Sequence, residues 1–274
     1  VVAAVALLIA LQVVNGRIED ELGSQIDAAI QSGGMEEFVS YGEIQANAAR
    51  GKITLTDVSF VPPGGGSEMK VASISLKVPS VEAAALAGDP ENATLSRARV
   101  AAERLVLTDP GSGNTMELAS VDVSAEGELS RSLLQAKPDE FLRKLSSVKM
   151  SIRDSQFTPG EQFMMQMQML PGGKKLVSGG AMDIRSMELD ADISSQSVDI
   201  GNLSLDSGLM SFAGSMDLGL DEMMKTQSVD AEFAVERVHD DLRAEFGAVL
   251  AQMGQSLPEE GPFTLGFELP EGGV

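Results

Sequence analysis

Hydrophobic and polar residues alternate with a period of two over most of the chain from about residue 40 onward. Ile53 and Leu55, and later Ile74 and Leu76, are separated by polar positions, which is typical of strands in a sheet with one face in water. Gly- and Pro-rich segments such as Pro62–Gly66 interrupt the alternation and predict turns. The pattern therefore predicts a protein built mainly of antiparallel β-strands.

Three segments are instead predicted to be helices. Apolar residues recur every fourth position from Ile18 to Ile30, which predicts an amphipathic helix or stalk. Pro138–Leu145 begins with Pro and acidic residues and ends with basic ones, as a short helix prefers. Asp240–Gly254 carries an apolar stripe typical of a packed helix, formed by Leu242, Phe246, Val249, Leu250 and Met253.

An internal repeat connects the two halves of the chain. Lys52–Pro62 and Lys149–Pro159 share Lys, Asp, Phe and Pro at a constant offset of 97 residues. Such self-similarity indicates a duplicated structural unit. The apolar positions match again further on, with Met69, Val71, Ile74 and Leu76 against Met182, Ile184, Met187 and Leu189.

These patterns predict an α+β fold that is mainly β. We expect an N-terminal anchor helix, followed by two duplicated antiparallel β units that are each followed by a helix. The expected divisions are an anchor at 1–16, a helix or stalk at 17–38, β unit 1 plus helix at 39–147, β unit 2 plus helix at 148–257, and a terminal strand and tail at 258–274.

The first 14 residues are uncharged, and Gln12 is their only polar residue. A bilayer core needs about 20 apolar residues, so spanning requires residues upstream of Val1. The acidic flank at Glu19–Glu21 places the body outside the cytoplasm by the positive-inside rule. We therefore expect a single-pass protein of the bacterial inner membrane with a periplasmic body, anchored in the lipid bilayer through Val5, Leu7, Leu8, Ile9 and Leu11.

The composition narrows the classes of partner. The net charge is −21, from 41 acidic and 20 basic residues, which argues against nucleic acid because phosphates require Lys and Arg. The same charge disfavours a broad contact with anionic headgroups. The chain has no cysteine, which excludes disulfides and thiolate chemistry.

No motif for catalysis or metal binding emerges. The single histidine, His239, precedes Asp240, and we interpret the pair as a helix start rather than part of a triad. Glu188, Asp190 and Asp192 alternate with apolar residues, so a solvated strand face explains them without calcium. We therefore predict no enzyme activity, no catalytic residue, no metal ligand and no cofactor.

Phe163–Leu170 is the most distinctive local string. Our preferred interpretation is a strand that places Met165, Met167 and Met169 on one apolar face. Thioethers are also soft Cu(I) ligands, and Met suits surfaces that accept varied shapes. Phe163 and the three Met are therefore candidate contacts for a ligand or partner.

The final segment alternates cleanly from Phe263 to Leu269. It predicts a strand with an apolar face formed by Phe263, Leu265 and Phe267. This strand should pair with an existing sheet edge or with something beyond the chain. Its three apolar residues join the candidate contact set.

The order of parts resembles the AsmA-like envelope proteins of Gram-negative bacteria. The residues that carry the likeness are the segments Val1–Val14, Gly51–Phe60 and Ala72–Val78. The resemblance implies an inner-membrane anchor, a periplasmic β-groove, and a role in lipid handling or envelope assembly. It supplies no catalytic residues.

Two functions follow as expectations. The first is a membrane-anchored periplasmic protein that binds lipid or another apolar ligand in a groove. The second is a non-catalytic structural or accessory subunit of a membrane complex. An open apolar groove would favour the first function, whereas a sealed core with apolar outer edges would favour the second.

Overall fold

The structure is a computed structural model, and it describes part of the chain. The described residues are 27, 30–31, 36–47, 50–62, 66–83, 94–130, 138–169, 177, 182–221, 226–252, 256–258 and 261–269.

Antiparallel β-strands form most of the described structure. Their hydrogen-bonded order is β1-β3-β4-β5-β6-β7-β8-β9-β10-β11-β12, and β2 also pairs with β3. The strands are β1 (Val39–Ser40), β2 (Ile44–Asn47), β3 (Lys52–Phe60), β4 (Glu68–Lys77), β5 (Thr94–Asp109), β6 (Asn114–Ser130), β7 (Leu145–Thr158), β8 (Ile184–Ile193), β9 (Ser197–Ser207), β10 (Met210–Leu220), β11 (Thr226–Val238) and β12 (Phe263–Leu269).

Three short α-helices have both of their ends among the described residues. They are α1 (Pro138–Lys144), α2 (Glu161–Gln168) and α3 (Arg243–Gln252), and a 3-10 turn at Asp240–Leu242 leads into α3. The helices predicted around 138–145 and 240–254 are therefore confirmed. The predicted pairing of the last strand with a sheet edge is also confirmed, because β12 pairs with β11.

The contacts divide the chain into two compact units. Unit 1 comprises residues within 1–107 and 119–150, and unit 2 comprises residues within 108–118 and 151–274. In unit 1, Leu55 lies opposite Ile74 across β3 and β4, and both are buried together with the fully buried Leu95. The alternation read from the sequence thus places the apolar side chains of these strands in the core.

A backbone irregularity recurs at a shorter interval than the sequence repeat. Asp57, Arg104 and Asp154 have φ values of 50°, 51° and 49°, in the left-handed region that non-glycine residues rarely adopt. They lie on β3, β5 and β7, 47 and 50 residues apart. The offset of 97 residues therefore spans two hairpins, and the repeating element is one hairpin.

The predicted fold class is wrong. The described chain is mostly antiparallel strand, and its helices are short, so helix makes up too small a share for the predicted α+β class. From β3 to β12, each strand pairs with the next one along the chain. The sheet therefore grows mainly by the addition of antiparallel strands, and helices are minor elements of the described structure.

The predicted membrane anchor and localisation also need correction. Within the described ranges, no helix is long and apolar enough to cross a bilayer. This finding counts against the single-pass inner-membrane assignment and the periplasmic body that depended on it. The five proposed anchor residues lie outside the described residues: Val5, Leu7, Leu8, Ile9 and Leu11.

Candidate functional site: the apolar face of β8–β12

One side of the sheet in unit 2 is apolar across five strands. The strand registers align its side chains into four rows that run across β8, β9, β10, β11 and β12. We call this surface the apolar face. Its rows are Met187–Leu205–Phe212–Val235–Phe263, Leu189–Leu203–Gly214–Phe233–Leu265, Ala191–Ile200–Met216–Ala231–Phe267 and Ile193–Val198–Leu218–Val229–Leu269.

Helix α3 covers one corner of the apolar face. Leu250 of α3 is 1% exposed and clusters with Val235, Val238 and Leu265. Partly buried side chains surround this cluster, and they include Phe212, Phe233, Leu242, Phe246, Leu257, Phe263 and Phe267.

Ring contacts hold this covered corner together. Phe246 of α3 stacks at a tilt on Phe263 of β12, with the ring centroids 6.3 Å apart. Phe212 meets Phe233 edge to face at 5.7 Å on the sheet itself. Aromatic pairs of this kind contribute about 0.5–1.5 kcal/mol beyond their burial.

The two rows farthest from α3 contain the most exposed large side chain of the apolar face, that of Leu269. There the large side chains of Ile200, Met216, Leu218 and Val229 are half-buried, and Leu269 is 46% exposed. Only the small residues of these rows, Ala191 and Ala231, are buried. Phe267 packs against the cluster beneath α3. We call the other large members of these rows the open part of the apolar face: Ile193, Val198, Ile200, Met216, Leu218, Val229 and Leu269.

A shallow cavity of about 320 Å³ lies at the end of this open part. Leu218, Val229 and Leu269 supply its apolar lining, and Ser197 and Ser228 add hydroxyl groups. Asp217, Asp230 and Glu268 also border it. The registers turn the side chains of these three residues to the opposite face of the sheet.

These three acidic residues belong to a row of carboxylates on the opposite face of the sheet. The strand registers place five of them directly opposite one another, namely Asp192, Asp199, Asp217, Asp230 and Glu268. Among the described residues, no group of three or more acidic or histidine side chains could hold a metal ion. We therefore interpret the row as a solvated charged surface.

The structure gathers one set of predicted contact residues on the apolar face. Phe263, Leu265 and Phe267 all lie on β12 with their side chains toward it. Phe263 and Leu265 contribute mainly to the core beneath α3, because Leu265 is 7% exposed and Phe263 packs against Phe246. Phe267 lies in the same row as Met216, at the border of the open part.

The other predicted set lies on a different element. Phe163, Met165 and Met167 belong to helix α2, and Met169 caps its C-terminal end, so the predicted strand over Phe163–Leu170 is wrong. Met and Gln are good helix formers, and the string contains no β-branched residue to favour a strand. Phe163 packs edge to face on Phe157 of β7, with the centroids 5.4 Å apart.

Residues of the open part were missed by sequence reasoning. Met216 and Leu218 do alternate with polar residues along their segment, and this signal was visible. Their alignment with Ile200 and Val229 depends on which strands pair and in which register.

His239 precedes the 3-10 turn, as predicted. Its backbone N–H donates to the carbonyl of Leu209 at 2.7 Å.

No family model and no curated protein matches the chain.

Proposed function

We propose that the chain is a non-catalytic lipid-handling protein, in which the open part of the apolar face binds the acyl chain of an uncharged or zwitterionic lipid. The observation that carries the proposal is the continuous apolar surface of Ile200, Met216, Leu218 and Val229, which α3 leaves half-buried. The resemblance to AsmA-like proteins points in the same direction.

The dimensions of the surface suit an acyl chain. Five strands at about 4.8 Å spacing span about 19 Å, and adjacent rows along a strand are about 6.8 Å apart. One leaflet of a hydrocarbon core about 30 Å thick holds acyl chains that reach about 15 Å. A single chain laid across the strands therefore fits within the width of the apolar face.

Area and charge disfavour a second copy as the occupant. The two outer rows offer roughly 250–300 Å², whereas a stable interface buries about 800 Å² on each partner. Two copies that each carry a net charge of −21 also repel one another. A small apolar ligand needs neither the area nor a complementary charge.

The same charge selects among lipids. The chain carries a net charge of −21, and an anionic headgroup would approach against this field. Like charges repel, and salt reduces the repulsion. Uncharged and zwitterionic lipids avoid this cost.

The test is native mass spectrometry of the purified chain after incubation with a monoacyl phosphatidylcholine, and separately with a monoacyl phosphatidylglycerol. We expect a 1:1 adduct with the zwitterionic lipid and a weaker one with the anionic lipid. Replacing Met216 by Gln should weaken binding by about fivefold, because about 1 kcal/mol of apolar contact is lost.

The matched control is Ser215→Gln. Ser215 is the exposed neighbour of Met216 on the opposite face of β10, so this variant should bind lipid as the wild type does. Thermal melts of both variants establish that they fold. Equal binding by the wild type and both variants, or no adduct at all, overturns the proposal, and a protein that co-purifies in place of lipid would support an accessory subunit.

A further inference from the structure

Helix α2 presents two methionines to solvent. Met165 is 58% exposed and Met169 is 85% exposed. They are four positions apart, so their side chains lie on the same side of the helix. No residue of α2 is buried, and neither thioether serves core packing.

Other groups hold α2 in place. Phe163 packs against Phe157, and the backbone N–H of Gly160 donates to Oδ1 of Asn114 at 2.8 Å before the first turn. Met164 and Met167 are half-buried on the inner side. The anchorage of the helix is therefore independent of the exposed sulfur atoms.

We propose that Met165 and Met169 form a reversible oxidation site that reacts with hydroperoxides. In each reaction a lone pair of the thioether sulfur attacks the distal oxygen of the peroxide, and the O–O bond breaks. With hydrogen peroxide the sulfur is oxidised to the sulfoxide, the peroxide is reduced, and one molecule of water leaves.

The fold tolerates this change because the new polar oxygen lies in water. A sulfoxide disrupts a protein when it replaces a buried apolar side chain. Met69 of β4 provides the contrast, since it is only 4% exposed. Its oxidation requires local opening of the core, whereas Met165 and Met169 react in the folded protein.

Accessibility also makes the modification reversible. Methionine sulfoxide reductases, one for each sulfoxide epimer, restore the thioether. Both exposed positions are open to such an enzyme without unfolding. The oxidised protein therefore carries two more polar side chains on α2 than the reduced protein, and both have the same fold.

The experiment is a hydrogen peroxide time course with peptide mass spectrometry of the full chain. We expect oxygen addition at Met165 and Met169 at least tenfold faster than at Met69, with Met167 of the same helix intermediate. Circular dichroism melts should stay unchanged once the two exposed residues are modified, and treatment with both reductases should remove the added oxygen.

The control variant is Met165→Leu combined with Met169→Leu, which removes both fast sites and preserves the apolar helix. Its remaining methionines should react at the wild-type rates. Oxidation of Met69 at the same rate as Met165 and Met169 would overturn the proposal. It would show that solvent exposure does not determine which methionines react. A large fall in the melting temperature after modification of only these two residues would overturn it as well.

Discussion

Asp57 and Asp154 hold the same left-handed backbone conformation, at φ 50° and 49°, on β3 and β7. The pairing of β3 with β4 continues in one register on both sides of Asp57. On the other edge of β3, the N–H of Gly42 donates to the carbonyl of Thr56 at 2.8 Å, between the short strands β1 and β2. Asp tolerates this conformation better than most residues do, so the repeated Asp has a backbone role.

The first prediction concerns this conformation. Replacing Asp154 by Val should lower the free energy of unfolding by about 1–2 kcal/mol, because a β-branched side chain is strained at positive φ. Asp154→Gly should stay within about 0.5 kcal/mol of wild type, since relief of strain offsets the added chain entropy. Urea denaturation measures both variants.

Gln156→Val is the control for this pair. Gln156 is an exposed neighbour on the same strand, and it is not among the described residues with positive φ. Val is favourable at an ordinary strand position, so this variant should not lose stability. Equal losses for Asp154→Val and Gln156→Val would contradict the strain argument.

The second prediction concerns the row of carboxylates on the polar face of unit 2. Asp217 lies directly opposite Asp199 on one side and Asp230 on the other, and like charges opposite one another destabilise a sheet. Asp217→Asn should therefore raise the free energy of unfolding by about 0.5–1 kcal/mol at low ionic strength. Urea melts at low salt measure the gain.

High salt supplies the check on this prediction. At about 1 M salt the Debye length falls to about 3 Å, so the advantage of Asp217→Asn should shrink. A gain that is independent of salt would show that something other than charge repulsion is responsible.

The third prediction concerns pH. Lys144 lies 2.5 Å from Glu128, and its hydrogen bond and then its charge lower the pKa of the Glu128 carboxyl. Because the folded pKa is the lower one, the pair contributes stability above the unfolded pKa and loses it as the pH falls through the folded pKa. Exposure of both side chains keeps the contribution small.

Lys144→Gln should therefore raise the pKa of Glu128 toward its ordinary value in an NMR titration of the carboxyl carbon. The stability difference from wild type should be present at neutral pH and vanish in acid below the folded pKa. A Glu128 titration that is identical in the two proteins would rule out the Lys144 contact.

The fourth prediction concerns the packing of helix α3 against the apolar face. Leu250 of α3 is 1% exposed, and Leu250→Ala should cost about 2–5 kcal/mol through lost contacts and a cavity. The control is Leu269→Ala, the same change at a site that is 46% exposed, which should cost less than about 1 kcal/mol. Similar losses at both sites would mean that α3 does not seal the core.

The sequence predicted much of the secondary structure. Alternation identified the strands around Ile53–Leu55, Ile74–Leu76 and Phe263–Leu269. The residues at the ends of α1 identified that helix, and an apolar stripe identified α3. These signals are local, because side-chain alternation and helix-end preferences depend on near neighbours along the chain. The string around Met165 was misassigned because alternation of Met and Gln resembles a strand, whereas both residues favour a helix.

The sequence by itself determined the strand-rich character, the acidic surface and the repeated Asp57 and Asp154, because composition and local pattern encode them. Only the tertiary structure showed that the repeating element is one hairpin. It also showed that Ile200, Met216 and Val229 lie side by side on the apolar face, which continues onto β12. Register depends on pairing between distant segments, and a shift of one residue would turn every side chain to the other face. The position of the open part of the apolar face follows from that register and from where α3 packs.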